Sequence, residues 1–130
     1  MDKKSIVPPD REISYTDWHF SPAIVSGEFI FVSGCIGTRA DGNISTDPEE
    51  QIREAFEFVG TTLARAGASF DDVVEMTTYH VGLLDHMNLF RRVKDEFLGE
   101  PYPAWTAIGV SELVTPGAIV EIRVTARRPA

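Results

Sequence analysis

The sequence predicts an α+β domain: a mostly antiparallel or mixed sheet with two helices covering one of its faces. Three observations predict it. Strand-like and helix-like patterns follow one another in the order β-β, helix, β, helix, β-β. Each helical stretch carries a single apolar stripe, so the pair can cover one sheet face and no more. The closing strand alternates, with Val120, Ile122, Val124 and Ala126 on one side and Glu121, Arg123, Thr125 and Arg127 on the other. The apolar side should meet the helices. The charged side is then wet in a monomer, or carries a polar site in an oligomer.

Each element has its own warrant. Residues 1–12 are polar and contain Pro8-Pro9, which reads as a flexible arm ahead of one domain over 13–130. Ala23-Ile24-Val25 and Phe29-Ile30-Phe31-Val32 flank Ser26-Gly27-Glu28, a hairpin signal; the second run is apolar on both faces, as in a buried central strand. Asp47 is a good N-cap, Pro48 suits the first helical position, and Glu49 and Glu50 complement the helix dipole. Ile52, Ala55, Phe56, Val59, Leu63 and Ala66 then form one stripe, which Gly67 ends. The β-branched run from Asp71 to Val81 predicts a long strand. A second helix, capped by Asp85, buries Leu89, Phe90, Val93 and Phe97 and stops at Gly99 and Pro101. Strands over 104–110 and 118–127 complete the chain.

Composition excludes several functions. With 130 residues there is room for one core. A net charge of −8 argues against nucleic acid, because binding phosphates requires clustered Lys and Arg. Arg91-Arg92-Lys94 is the nearest thing to a basic cluster, and Asp95 and Glu96 follow it directly. The one cysteine, Cys35, allows no intramolecular disulfide, and His19, His80 and His86 lack ligand spacing, so no metal or other cofactor is expected. No apolar leader or bilayer-length segment is present, so no membrane partner is expected and the cytoplasm is the default location.

Taken together, Phe31-Val32-Ser33-Gly34, the helix before Gly67, Asp71-Asp72-Val73-Val74, Tyr102-Pro103-Ala104 and Val120-Glu121-Ile122-Arg123-Val124 resemble the Rid (YjgF) family. The resemblance runs in order from about Ala23 to Arg128, and Tyr102 to Ala107 is similar to a divergent branch of the family. It implies a chorismate-mutase-like fold, a homotrimer with a central β-barrel, and small-molecule clefts between subunits. Members of the deaminase branch hydrolyse imine or enamine intermediates. The resemblance carries the family's acid onto Glu121, its close-approach glycine onto Gly34, its aromatic lid onto Phe20 and its main-chain contact onto Ala107.

One position departs from the pattern. Where the family has a carboxylate-binding arginine, this chain has Trp105, and indole offers one N–H and no charge in place of a two-donor fork. Trp105 is then either an apolar wall of the pocket or a packing aromatic, and Arg123 is a candidate replacement cation. Glu121 reads either as a water-activating acid or as a solvated strand carboxylate. Cys35 reads as a small buried hydrophobe rather than a nucleophile, having no identifiable base. His80 and His86 are expected at the surface or an interface. Two functions follow: a Rid-type hydrolase or deaminase lacking the usual carboxylate contact, or a non-catalytic trimer that binds a small metabolite. A ribonuclease reading conflicts with the acidic balance and the lack of a catalytic histidine pair.

Overall fold

The structure, a computed structural model, describes residues 2–130. Six strands form one sheet in the order β1-β2-β3-β6-β4-β5. They are β1 (Lys4–Ile6), β2 (Ala23–Ser26), β3 (Phe29–Cys35), β4 (Val73–His80), β5 (Ala104–Gly109) and β6 (Val120–Arg127). Neighbours are antiparallel except β4 and β5, which run parallel and are joined through a helix. The helices are α1 (Glu12–Thr16), α2 (Pro48–Arg65) and α3 (Leu83–Lys94).

Local chemistry accounts for most boundaries. The Asp47 carboxylate accepts the Glu50 N–H at 3.0 Å, Pro48 opens α2, and Gly67 takes φ +82° beyond its end. β2 and β3 are joined by Gly27-Glu28 alone, with Gly27 at φ +59°. α3 differs from expectation. It starts at Leu83, after Gly82 in the left-handed region, so Asp85 stands in the first turn instead of capping it. Phe97, expected within that helix, lies beyond its end and still packs on the core.

The alternation of β6 places the core. Val120, Ile122 and Ala126 are fully buried and Val124 nearly so; with Ile30, Val32 and Met76 they meet Ile52, Phe56, Val59, Leu63, Phe90 and Val93 of the helices. Phe56 stacks on Phe97 at 5.1 Å and packs obliquely on Phe90 at 5.5 Å. Truncating such a buried ring to alanine costs about 3–5 kcal/mol. The opposite sheet face keeps Phe31, Val74 and Ile108 more than two-fifths exposed.

The N-terminal segment corrects the sequence reading. Instead of a loose arm, residues 4–6 pair with residues 23–25 of β2, and a 3-10 turn over Pro9–Arg11 leads into α1. Pro8 and Pro9 break regular pairing after Ile6 without preventing it before. Among the described residues, no helix is long and apolar enough to cross a membrane.

Candidate functional site

β6 delivers Glu121 to a cleft at the end of the sheet where β3 finishes. Its side chain stands on the face away from the core, in register with Tyr79 of β4. The approach to β6 is clamped from behind by Gln51 of α2. The buried Gln51 amide donates to the carbonyls of Ser45 (3.0 Å) and Gly117 (3.1 Å), and its oxygen accepts the Ile119 N–H at 2.7 Å. A buried amide meeting three main-chain groups fixes their relative positions, because leaving any of them unpaired costs about 1–3 kcal/mol.

β3 meets Glu121 through a bulge. The register passes from Val32–Val124 to Cys35–Ile122, so Ser33 and Gly34 stand opposite Arg123 alone. Gly34 is required for space. A Cβ there would lie 2.8 Å from Glu121 Cγ and closer still to the carboxyl group. Only a residue without a side chain lets the carboxylate lie over this stretch of backbone.

The cleft measures about 490 Å³. Ile13, Trp18, Phe20, Ile36, Phe58 and Val114 give it an apolar lining, to which Arg11 and Thr38 add polar groups. Burial pushes the Glu121 carboxyl above the usual carboxylate range. It forms no ion pair among the described residues. A carboxyl in this state exchanges a proton with a bound molecule more readily near neutrality than a solvated one.

The structure brings together Phe20, Gly34 and Glu121, and within one chain it does not bring them to Trp105, Ala107 or Arg123. Arg123 is exposed on the outer face, paired in register with Thr77. Trp105 and Ala107 lie on β5, in register with Met76 and Thr78, on the helix side of the sheet, and β4 separates them from β6. The Trp105 indole donates to Thr78 Oγ1 at 2.9 Å and stacks on Phe90 at 5.7 Å, with the Lys94 ammonium 5.3 Å from its ring.

The histidines also differ from expectation. His80 is fully buried and His86 nearly so, because His80 lies on the helix side of β4 beneath α3. His80 Nδ1 is 3.1 Å from His86 Nε2, and His80 Nε2 is 2.7 Å from Thr78 Oγ1. Burial, and then the neighbouring His86, push His80 down to about 4; burial lowers His86 too, against the pull of Asp85. Cys35 is buried, and burial pushes its thiol up to about 12, with Arg11 opposing and Glu121 adding to the shift. A thiol so rarely ionised is a poor nucleophile. No group of three His, Cys, Asp or Glu residues among the described residues is placed to hold a metal ion.

Sequence reasoning missed Arg11, in the segment read as an arm, and Ile13 and Trp18, which follow just after it. It also missed Gln51, whose signal was a polar residue beside Ile52 on the buried stripe of α2.

Known proteins agree with this architecture. The chain is 39% identical to the RutC family protein YjgH of Escherichia coli over 130 residues, 99% of this chain and 98% of that protein. A solved structure of YjgH superposes with a TM-score of 0.90, covering 100% of this chain and 99% of that one. A 2-iminobutanoate/2-iminopropanoate deaminase of Dermatophagoides farinae is 29% identical over 99 residues, 72% of this chain and 74% of that protein. The Endoribonuclease L-PSP family model matches residues 13–128. With the fold, the family model and the whole-chain similarity to YjgH in agreement, the chain belongs to the endoribonuclease L-PSP family, the family of the Rid, YjgF and RutC proteins.

Proposed function

We propose that this protein hydrolyses a small imine or enamine-like metabolite in the Glu121 cleft, and that it works as a homotrimer with the clefts at subunit boundaries. The observation that carries the reading is a half-buried carboxyl with a raised pKa, without an ionic partner among the described residues, lying over Gly34 in a cleft that Phe20 also lines.

Imine hydrolysis requires an electrophilic carbon, a positioned water and a proton carrier. In its ionised form Glu121 takes a proton from water as the oxygen adds to the imine carbon. It then returns that proton to nitrogen, giving a carbinolamine; a second relay through the same carboxyl moves the hydroxyl proton to nitrogen, so that the C–N bond breaks as the C=O bond forms and ammonia leaves. The raised pKa suits both halves of this cycle. The deaminase named among the relatives supports this chemistry. Trp105, where the resemblance places a carboxylate-binding arginine, argues against strong turnover of the short 2-imino acids.

The trimer is supported by the outer sheet face. Phe31, Val74 and Ile108 are exposed there beside polar Thr77, Tyr79 and Arg123, a surface suited to burial against other copies. Light scattering at micromolar concentration should give three times the chain mass, and a monomer mass would remove the intersubunit part of the proposal.

The second reading is a non-catalytic binder of a small metabolite, favoured by the absence of an arginine at position 105. Ammonia release from a panel of freshly generated imines separates the two. Wild-type release that Glu121→Ala abolishes supports the hydrolase. Binding of the carbonyl products without any release supports the binder.

A further inference from the structure

Two guanidiniums line the Glu121 cleft, and they are in different states. Arg39 is neutralised by two carboxylates, Glu54 at 2.8 Å from Nε and Glu50 against the outer nitrogen. Arg11 has only a long contact with Asp10, 3.9 Å from Nε. Its position is nevertheless firmly built. Its outer nitrogens donate to Thr38 Oγ1 (3.0 Å) and the Thr38 carbonyl (2.9 Å), and Cζ lies 3.6 Å from the centroid of the Phe58 ring. Only 16% of the side chain is exposed.

A guanidinium has five N–H donors, and two of them meet Thr38 here. A charge held by a main-chain carbonyl, a hydroxyl and an aromatic face has lost its conformational freedom in advance, so a ligand carboxylate need not organise it. The rest of the cleft sets the other requirements. Along with Arg11 and Glu121, the cleft is lined by Ile13, Trp18, Phe20, Phe58 and Val114, which call for a large apolar body.

We propose that Arg11 is the anion anchor of this cleft, holding the carboxylate of an aromatic or branched-chain 2-imino acid and of the 2-keto acid that it yields. The inference rests on the hydrolase reading for the imine, while its binding component stands without turnover. The cation that β5 lacks is then supplied from the N-terminal segment. A short 2-keto acid would lack the body to fill the walls, so the selectivity should favour larger side chains.

The test is calorimetric titration with 3-phenyl-2-oxopropanoate and with its neutral methyl ester. Wild-type protein should bind the acid at least tenfold more tightly than the ester. Arg11→Met should reduce the acid to the level of the ester and leave the ester unchanged, which also shows that the cleft is intact. Arg11→Lys, which keeps the charge but not the fork, should recover part of the acid's advantage. The proposal is overturned if Arg11→Met keeps the preference for the acid, if wild type binds acid and ester equally, or if Arg11→Lys binds neither compound. Absence of ammonia release by wild type, with the Arg11-dependent preference intact, would defeat the hydrolase reading and leave the anchor standing.

Discussion

The β5 edge and the Glu121 cleft make an instructive pair, because both hold aromatic rings beside polar groups on one sheet. At the β5 edge each polar group is answered from within the chain: Trp105 by Thr78, Thr78 by His80, and His80 by His86. In the cleft, Glu121 has no ionic partner among the described residues, and Arg11 has only the long contact with Asp10. Buried polar groups that satisfy one another fix a structure. Charged groups held between apolar walls with capacity left over are arranged for a molecule from outside. The comparison sets the expectation that truncating Trp105 costs stability and that truncating Glu121, under the proposed hydrolase reading, costs activity.

The sharpest contrast comes from truncation. Trp105→Ala should destabilise by about 2–3 kcal/mol, from the lost stack on Phe90 and the opened space, the ring being only partly buried. Glu121→Ala should change stability by less than about 1 kcal/mol, since it removes a partly desolvated charge without an ionic partner. Urea denaturation of both variants measures the pair, and similar losses would erase the distinction. Trp105→Arg, which sequence alone recommends as a restored carboxylate anchor, would instead place a guanidinium near Lys94 and against Phe90. It should lose stability without gaining affinity for 2-ketobutyrate in the Glu121 cleft.

Acid should also separate the two regions. His80 is held neutral, with its pKa lowered from 6.5 to about 4. Below pH 6.5 the unfolded chain binds a proton that the folded chain refuses. Stability from this site is therefore complete above pH 6.5 and falls as pH drops toward 4, by about 3 kcal/mol in all. The Glu121 shift has the opposite sign: its raised pKa makes the folded state relatively more stable as pH falls through that value. His86, Asp85 and Lys94 lie around the same edge, so the decisive control is His80→Gln. Chemical denaturation between pH 4 and 7 should show a flatter profile in that variant than in wild type.

A smaller effect is expected at Gly34. Gly34→Ala pushes a methyl group into the Glu121 side chain and should cost about 1–3 kcal/mol, with the carboxyl group displaced. Paired with Glu121→Ala, which removes the obstruction, most of that cost should vanish in a double-mutant cycle. Additive losses would show that Gly34 serves the bulge alone.

How much of this was legible in the sequence varies with the kind of signal. The stripe of α2 and the alternation of β6 are periodic, so their faces could be read before any contact was known. Asp47, Pro48 and Gly67 act locally, and the helix ends fall where they indicate. β1 has three residues and gains its stability from β2, so no local pattern announces it. Arg11 was illegible for the same reason, since its partners Thr38 and Phe58 are far along the chain. His80 and His86 differ by six in sequence and meet only because α3 folds back over β4. Phe20, Gly34 and Glu121 were identified by resemblance to a family, and the structure shows them at one cleft.

A crystal structure of the protein grown with 3-phenyl-2-oxopropanoate tests the central claim most directly. The account predicts the acid in the Glu121 cleft, its carbonyl oxygen within hydrogen-bonding reach of Glu121 and its ring against Phe20 and Trp18. A ligand seated at the Trp105 edge, with the Glu121 carboxyl left facing water, would contradict it.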